Sequence, residues 1–227
     1  MTQENMKAEA GRAAAKLIKN NTIVGLGTGS TAACFIQALI ERIQEDGLVI
    51  KAAVSSSRAS SALAQKGGIK MVDLNNVDHV DITVDGADEI DEEKRMIKGG
   101  GGALLREKIL ASSSREMIVI VDETKLSKRL GSKKLPIEVS YYGYKHTEAK
   151  IQKCNYEGSW RQLKDGSFFI TENGNLIFDI QFSDPLSSPE EEHERLMQIP
   201  GVLDTGFFFD LAGRVIVGRS DGKIEIL

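Results

Sequence analysis

The sequence predicts an α/β protein: a Rossmann-like domain with a mostly parallel sheet, residues 1–130 plus 207–227, interrupted by a ferredoxin-like α+β domain, residues 131–206. In the first half, helical patterns alternate with short apolar runs, which is typical of parallel sheets covered by helices on both faces. After residue 131 the order becomes β-α-β-β-α-β, which is the ferredoxin-like arrangement. The 227 residues suffice for such an organisation.

Hydrophobic periodicity assigns the elements of the first domain in order. Apolar residues at helical spacing predict helices at 4–19, 30–45, 58–66 and 103–113. Short apolar runs predict strands at 22–26, 49–54, 69–74, 80–84 and 117–121. A final hairpin, 214–218 with 223–227, is expected to return to this domain.

The second domain is assigned in the same way. Apolar runs predict strands at 135–139, 168–170, 176–182 and 202–209. Asn173-Gly174 between two of these runs is a strong hairpin signal. Helices are predicted at 143–154 and from Pro189 to just before Pro200-Gly201.

Composition excludes several classes of protein. Lys and Arg total 29 and Asp and Glu total 33, a net charge of −4, so no nucleic-acid partner is expected. No stretch approaches the ~18 apolar residues of a membrane span, and the N-terminal residues lack the apolar segment of a signal peptide. Cys34 and Cys154 are too few for a disulfide framework or a zinc site. We therefore expect a cytoplasmic protein without a membrane partner.

Polar clusters follow four of the predicted strands, at the edge where α/β sheets bind ligands. They are Thr28-Gly29-Ser30-Thr31, Ser55-Ser56-Ser57, Asp85-Gly86-Ala87-Asp88 and Asp122-Glu123-Thr124-Lys125. The first cluster opens a helix, where unpaired N–H groups and the helix dipole favour an anion. It therefore predicts a phosphate-binding turn, and the alternative is a tight turn whose Ser or Thr caps the helix.

A dinucleotide site is a second alternative for this turn. Gly27, Gly29 and Ala32 fit the G-x-G-x-x-A motif between a strand and a helix. That motif expects an acidic residue about 20 positions later, at the end of the second strand. Serines stand there instead, so the motif is incomplete.

Asp85 and Asp88 lie three apart around a glycine, a spacing that suits hydroxyl binding and proton shuttling. Capping of the next element or Mg²⁺ binding are alternatives, although no third carboxylate at useful spacing favours a metal. Lys98 precedes four glycines, Gly99 to Gly102, which let the backbone approach a substrate closely. Taken by itself, Glu107 would be an ordinary helical glutamate whose carboxylate is stabilised by the positive end of the helix dipole.

Taken together, these segments resemble the A-type ribose-5-phosphate isomerases. The similarity covers nearly the whole chain and is strongest at 23–35 (IVGLGTGSTAACF), 84–90 (VDGADEI), 98–109 (KGGGGALLREKI) and 135–139 (LPIEV). Further support comes from 173–179 (NGNLIFD) and 199–202 (IPGV). One departure from the family pattern is Gly102, where alanine is more usual.

The resemblance implies an aldose-ketose isomerase of the non-oxidative pentose phosphate pathway that needs no metal or organic cofactor and forms a homodimer or homotetramer. It implies that Glu107 is the general base and that Asp85, Asp88 and Lys98 surround the oxygens of a small phosphorylated pentose. It assigns further substrate contacts to Thr28, Gly29, Ser30, Thr31, Gly86, Ala87, Gly99, Gly100, Gly101 and Lys125, with Lys7 as an additional candidate. The alternative is a non-catalytic sugar-phosphate-sensing module of the same fold.

Overall fold

The protein is described by a computed structural model that covers residues 1–227. The chain divides into two compact units. The first comprises Met1–Ala87, Arg106–Lys125 and Leu211–Leu227, and the second comprises Asp88–Leu105 and Leu126–Asp210.

The helices and strands are named in chain order. The helices are α1 (Gln3–Lys16), α2 (Ser30–Glu45), α3 (Arg58–Lys66), α4 (Leu104–Ser112), α5 (Tyr144–Lys153) and α6 (Pro189–Met197). The strands are β1 (Ile23–Leu26), β2 (Ala52–Ser55), β3 (Ile82–Asp85), β4 (Glu89–Ile90), β5 (Met96–Ile97), β6 (Met117–Asp122), β7 (Leu135–Val139), β8 (Glu157–Trp160), β9 (Leu176–Gln181), β10 (Val202–Thr205), β11 (Phe207–Phe208), β12 (Ala212–Gly218) and β13 (Ile224–Ile226). No helix is both long and apolar enough to cross a membrane.

The first unit contains a six-stranded sheet in the order β13-β12-β6-β3-β1-β2. Neighbouring strands from β12 to β2 are parallel, and only the β12–β13 pair is antiparallel. This confirms the mostly parallel sheet and the return of the C-terminal hairpin to it. Because the strands are parallel, the carboxyl ends of β1, β2, β3 and β6 share one edge.

Helix α1 crosses α2 at close range in the first unit. A Cβ on Gly11 would lie 2.8 Å from the backbone nitrogen of Phe35, so only glycine permits this crossing. The buried side chains of Ala14, Phe35 and Leu39 join Ile118 in one apolar core. Burial of such side chains, at about 25 cal/mol per Å², fixes the helices on the sheet.

The second unit confirms the ferredoxin-like prediction. Its four-stranded antiparallel sheet has the order β10-β7-β9-β8, and the chain order is β7-α5-β8-β9-α6-β10. The strand predicted at 168–170 is wrong, because Phe168 and Ile170 make only isolated bridges and β8 takes the place beside β9. The turn at Asn173-Gly174 forms, closed by the bond from Thr171 N–H to the Asn175 carbonyl.

Two further strand predictions are corrected. Residues 69–74 are not a strand: Met71 makes a single bridge to Ala53, and the Asp73 carboxylate accepts the Asn75 N–H and starts a short 3₁₀ turn. The run 202–209 divides at Gly206 into β10 and β11, which belong to different sheets. A Cβ on Gly206 would lie 2.4 Å from the Lys98 carbonyl oxygen, so the chain bends there in close contact with that backbone.

Strand β11 pairs with β5, and β5 with β4, in a small antiparallel sheet that the sequence did not predict. This pairing places Asp88–Leu105 in the second unit, whereas the sequence grouped it with the first domain. The carboxylate of Glu89 reinforces the grouping, because it accepts the backbone N–H groups of Gly131, Ser132 and Lys133.

Candidate active site

The turn between β1 and α2 has the backbone expected of an anion site. Gly29 is the N-cap of α2, with a φ of 102° that favours glycine, and no side chain caps the helix. Ser30 instead accepts a hydrogen bond from the Lys7 ammonium, with 3.1 Å between Nζ and Oγ. The capping alternative is therefore wrong, and the first-turn N–H groups of α2 are left for a ligand or solvent.

Serines after β2 hold this turn from behind. The hydroxyls of Thr28 and Ser56 are hydrogen-bonded at 2.7 Å, and Ser60 Oγ donates to the Gly27 carbonyl at 2.6 Å. Ser56 and Ser60 are both buried. Sequence reasoning noticed the serine run but missed its function, which is to fix the conformation of the glycine turn.

Asp85, the last residue of β3, lies beside the same turn. Its Oδ1 accepts the N–H groups of Thr28 at 3.0 Å and Gly86 at 2.7 Å, and the side chain is buried. A Cβ on Gly27 would lie 2.0 Å from the carboxylate carbon of Asp85, which explains the glycine there. Asp85 therefore joins the ends of β1 and β3.

In the second unit, the glycine run folds around Asp88. The Asp88 carboxylate accepts the Gly100 N–H at 2.7 Å, and the Gly102 N–H donates to the Gly99 carbonyl at 2.9 Å. Gly99 has a φ of 101°, and a Cβ on Gly100 would lie 2.6 Å from Asp88 Oδ1. The glycines are thus required by both the backbone conformation and the nearness of the carboxylate.

Lys98, immediately before this run, is 2% exposed. Its backbone N–H donates to the Gly206 carbonyl at 2.8 Å, and its ammonium lies 5.4 Å from the centre of the Phe208 ring. An aromatic face attracts a cation, and the effect grows when water is excluded. The structure therefore places the Lys98 side chain in a buried position against an aromatic ring.

Glu107 lies in the first turn of α4 and is 4% exposed. The positive end of a helix stabilises a carboxylate at this position. Lys125 is half-buried and ends the short 3₁₀ helix Glu123–Lys125 after β6. Asp122 shapes that segment, because its carboxylate accepts from Thr124 and from the Gln3 amide.

The predicted residues thus fall into two groups, one in each unit. In the first unit, Asp85 bonds to the turn of Thr28, Gly29, Ser30 and Thr31, and Lys7 contacts the same turn. Glu107, Lys125, Gly86 and Ala87 also belong to this unit. In the second unit, Asp88 contacts the glycine run that follows Lys98.

The chain matches the family model described as ribose 5-phosphate isomerase A (phosphoriboisomerase A) over residues 52–222. It is 48% identical to the ribose-5-phosphate isomerase A of Protochlamydia amoebophila (strain UWE25), with 100% of both chains covered. Among solved structures it is similar to a D-ribose-5-phosphate isomerase in complex with phospho-erythronic acid, with a TM-score of 0.94, 37% identity, and 100% of this chain and 99% of that chain covered. The ribose 5-phosphate isomerase of Plasmodium falciparum gives a TM-score of 0.94 at 32% identity, with 99% of this chain and 98% of that chain covered. On sequence and structure alike, this chain belongs to the ribose 5-phosphate isomerase A family.

Proposed function

We propose that the protein interconverts D-ribose 5-phosphate and D-ribulose 5-phosphate, a step of the non-oxidative pentose phosphate pathway. Similarity to isomerases over the full chain carries this proposal. The buried Glu107 and Lys98 and the uncapped start of α2 supply the groups that this chemistry needs.

Glu107 is the proposed general base. In the aldose-to-ketose direction its carboxylate takes the proton from C2, and the C–H electron pair forms the C1–C2 double bond of a cis-enediol(ate). The same carboxyl then returns the proton to C1, while the O2 hydroxyl proton is lost and O1 gains one. One carboxylate on one face of the sugar can therefore act as general base at C2 and as general acid at C1.

Lys98, Asp85 and Asp88 are proposed to act on the sugar oxygens. The ammonium of Lys98 stabilises the negative charge that develops on oxygen in the transition state. The two aspartates assist ring opening and the proton exchange among O1, O2 and the ring oxygen. Asp85 has a second function, because its two backbone hydrogen bonds hold the turn of Thr28.

The phosphate is proposed to bind at Thr28 to Thr31 and Lys125, with Lys7 beside Ser30. The phosphate takes no part in the proton transfer. Its binding energy holds the open-chain sugar in register with Glu107, which lowers the entropic part of the barrier. The backbone of Gly86, Ala87 and Gly99 to Gly101 contributes further contacts to the sugar.

The family resemblance supports three further proposals: a homodimer or homotetramer, a cytoplasmic location, and activity without a metal or organic cofactor. One assay tests the proposed function directly. Purified protein incubated with ribose 5-phosphate is expected to produce the ketose, measured by its absorbance or by NMR. Tight binding of ribose 5-phosphate without ketose formation would instead favour the sensing module.

Glu107→Gln is expected to lower kcat by at least about 100-fold, the size of a lost general base, with little change in KM. The amide keeps the shape of the side chain but cannot accept the C2 proton. Glu41→Gln, on the exposed face of α2, is the matched control and should keep wild-type kinetics. Near-wild-type turnover by a folded Glu107→Gln protein would remove Glu107 from the mechanism.

A further inference from the structure

In the second unit, the turn at Gly99–Gly102 is held by a side chain that belongs to none of the sequence motifs described above. Arg161, directly after β8, points its Nη1 at the turn and donates to two successive carbonyls. The distances are 2.8 Å to the Gly99 oxygen and 3.0 Å to the Gly100 oxygen. Arg161 is 62 residues from Gly99 in sequence.

The guanidinium of Arg161 is itself held on two sides. Asp179 of β9 accepts from Nε at 3.0 Å and from Nη2, a two-point pair in which the side chains are only 17% and 13% exposed. Such a planar pair fixes the orientation of the guanidinium as well as its position. The Phe169 ring lies beneath it, with 5.9 Å between the ring centre and Cζ.

Phe169 also contacts the turn. Its Cε1 and Cζ atoms occupy the space in which a Cβ on Gly102 would lie, only 2.4 Å away. Arg161, Asp179 and Phe169 therefore form one rigid support, called here the arginine clamp, on one side of Gly99–Gly102. All of these residues belong to the second unit.

Because Arg161 holds two carbonyl groups of this turn, it also fixes the direction of the N–H groups that follow them. All peptide bonds of the chain are trans, and in a planar trans peptide the carbonyl and the following N–H point in opposite directions. Holding the Gly99 carbonyl on Arg161 therefore directs the Gly100 N–H away from it, toward Asp88, where it bonds at 2.7 Å. Holding the Gly100 carbonyl sets the Gly101 N–H in the same way, and glycine alone would leave these peptides free to rotate.

We propose that Arg161 is a positioning residue for the isomerase reaction. Through the arginine clamp it fixes the Gly99–Gly101 backbone and the Asp88 carboxylate in the orientation that contacts the sugar oxygens. Arg161 itself touches only the carbonyl side of the turn. The inference rests on the proposed function, because it assigns a purpose to the same site.

The test compares Arg161→Ala, Arg161→Lys and Asp179→Asn with wild type. Each is assayed for kcat and KM and for inhibition by phospho-erythronic acid and by inorganic phosphate. Arg214→Lys is the matched control: Arg214 of β12 makes a two-point pair with Glu116, and both residues belong to the first unit. It removes the same chemistry without touching the clamp.

Arg161→Ala is expected to lower kcat/KM by about 10- to 100-fold, mostly through kcat, as misplacement of contact groups does. It should weaken inhibition by phospho-erythronic acid about 10-fold, roughly the effect of losing one or two oriented hydrogen bonds. Inhibition by inorganic phosphate should stay within about 2-fold of wild type. Arg161→Lys and Asp179→Asn should fall between Ala and wild type, because each keeps part of the clamp. Millimolar guanidinium should restore part of the kcat of Arg161→Ala, which a merely structural role would not allow.

Wild-type kcat and wild-type inhibition in the Arg161→Ala protein would overturn the proposal. The proposal would also be overturned if inhibition by phosphate and inhibition by phospho-erythronic acid weakened equally and guanidinium did not restore activity. That pattern indicates general destabilisation of the protein. If Arg161→Ala does not fold, the Lys and Asn variants decide by the same criteria. Absence of ketose with the wild-type protein would contradict the proposed function instead, and the inhibitor-binding comparison would still test the clamp.

Discussion

Gly102 and Phe169 show how one missing methyl group shapes the neighbourhood of the site. Gly102 has a φ of 78°, in the region that L side chains rarely adopt, and the edge of the Phe169 ring fills the space of its absent Cβ. In this chain the glycine and the phenylalanine are therefore a matched pair.

Gly102→Ala is expected to lower the free energy of unfolding by about 1–3 kcal/mol, the combined effect of a positive φ and overpacking. For a chain of this size, each kcal/mol of lost stability lowers Tm by roughly 2–4 °C. Adding Phe169→Leu should recover the packing part and leave the φ part. Thermal unfolding of the single and double variants measures this, and identical Tm values for wild type and Gly102→Ala would contradict it.

Strand β3 carries aspartates at both ends, with different functions. Asp85, at the carboxyl end, holds the turn of Thr28. Asp81, just before the strand, exchanges two bonds with Ile23: its Oδ2 accepts the Ile23 N–H at 2.8 Å, and its N–H donates to the Ile23 carbonyl at 3.0 Å. Asp81 therefore fixes the beginning of β1 against β3, at the edge of the sheet opposite the site.

Asp81→Asn is expected to destabilise the fold in a pH-dependent way. Burial opposes ionisation of Asp81, but the bond from Ile23 and the nearby His79 and Arg115 outweigh it and hold the pKa of the carboxyl below its ordinary value of 3.8. A lowered pKa stabilises the folded state above the unfolded value, and this is lost as pH falls through the folded value. The wild-type advantage at pH 7, about 1.5 kcal/mol for a hydrogen bond to a charged group, should therefore shrink as the pH falls below 3.8.

Denaturant unfolding of wild type and Asp81→Asn at pH 7 and near pH 3 measures this change. Asp78→Asn, which removes an exposed charge three residues earlier, is the control. A stability difference that stays constant across both pH values would show that the Asp81 charge makes no contribution. Catalysis should be unaffected at pH 7, because Asp81 lies away from the predicted site.

Elements with a local signal were predictable, and elements set by distant partners were not. Helices α2 and α3 were predicted with the bounds that the structure shows. Strand β8 was missed because Glu157–Trp160 is mostly exposed and lacks an apolar pattern, and only pairing with β9 makes it a strand. The break at Gly206 depends on close contact with the Lys98 backbone, which no local pattern reveals.

The same division holds for the site. Thr28 to Thr31 and Asp85 were predicted because glycines, hydroxyls and carboxylates follow apolar strands, a pattern visible along the chain. Glu107 and Lys125 gained roles only through the family resemblance. Arg161 escaped altogether, because it acts on carbonyl oxygens 61 and 62 residues away and belongs to no motif.

At the scale of the whole molecule, neither unit is one continuous stretch of chain. The chain passes from one unit to the other at four points, near residues 87, 105, 125 and 210. Two of these crossings fall between Asp85 and Glu107, so the segment richest in predicted site residues leaves the first unit and returns to it. Independent excision of either unit would therefore cut the predicted site residues apart.

The resemblance predicts an oligomer, and a mass measurement tests that directly. Light scattering on a size-exclusion column should give two or four times the chain mass of 24.8 kDa at assay concentration. A dilution series should show whether activity per chain falls as the assembly dissociates, since folded protomers and assembly are linked by mass action. A mass of 24.8 kDa with full activity per chain would contradict the proposal.

The unprotected start of α2 has a thermodynamic consequence. Gly29 has no side chain to accept the first-turn N–H groups of α2, and its φ of 102° disfavours the Ser, Thr, Asp or Asn that could accept them. Under the proposed function, the substrate's phosphate becomes the missing cap, so that the helix is completed only in the complex. Substrate binding then stabilises the start of α2 by mass action, and the first-turn N–H groups return to solvent when the product leaves.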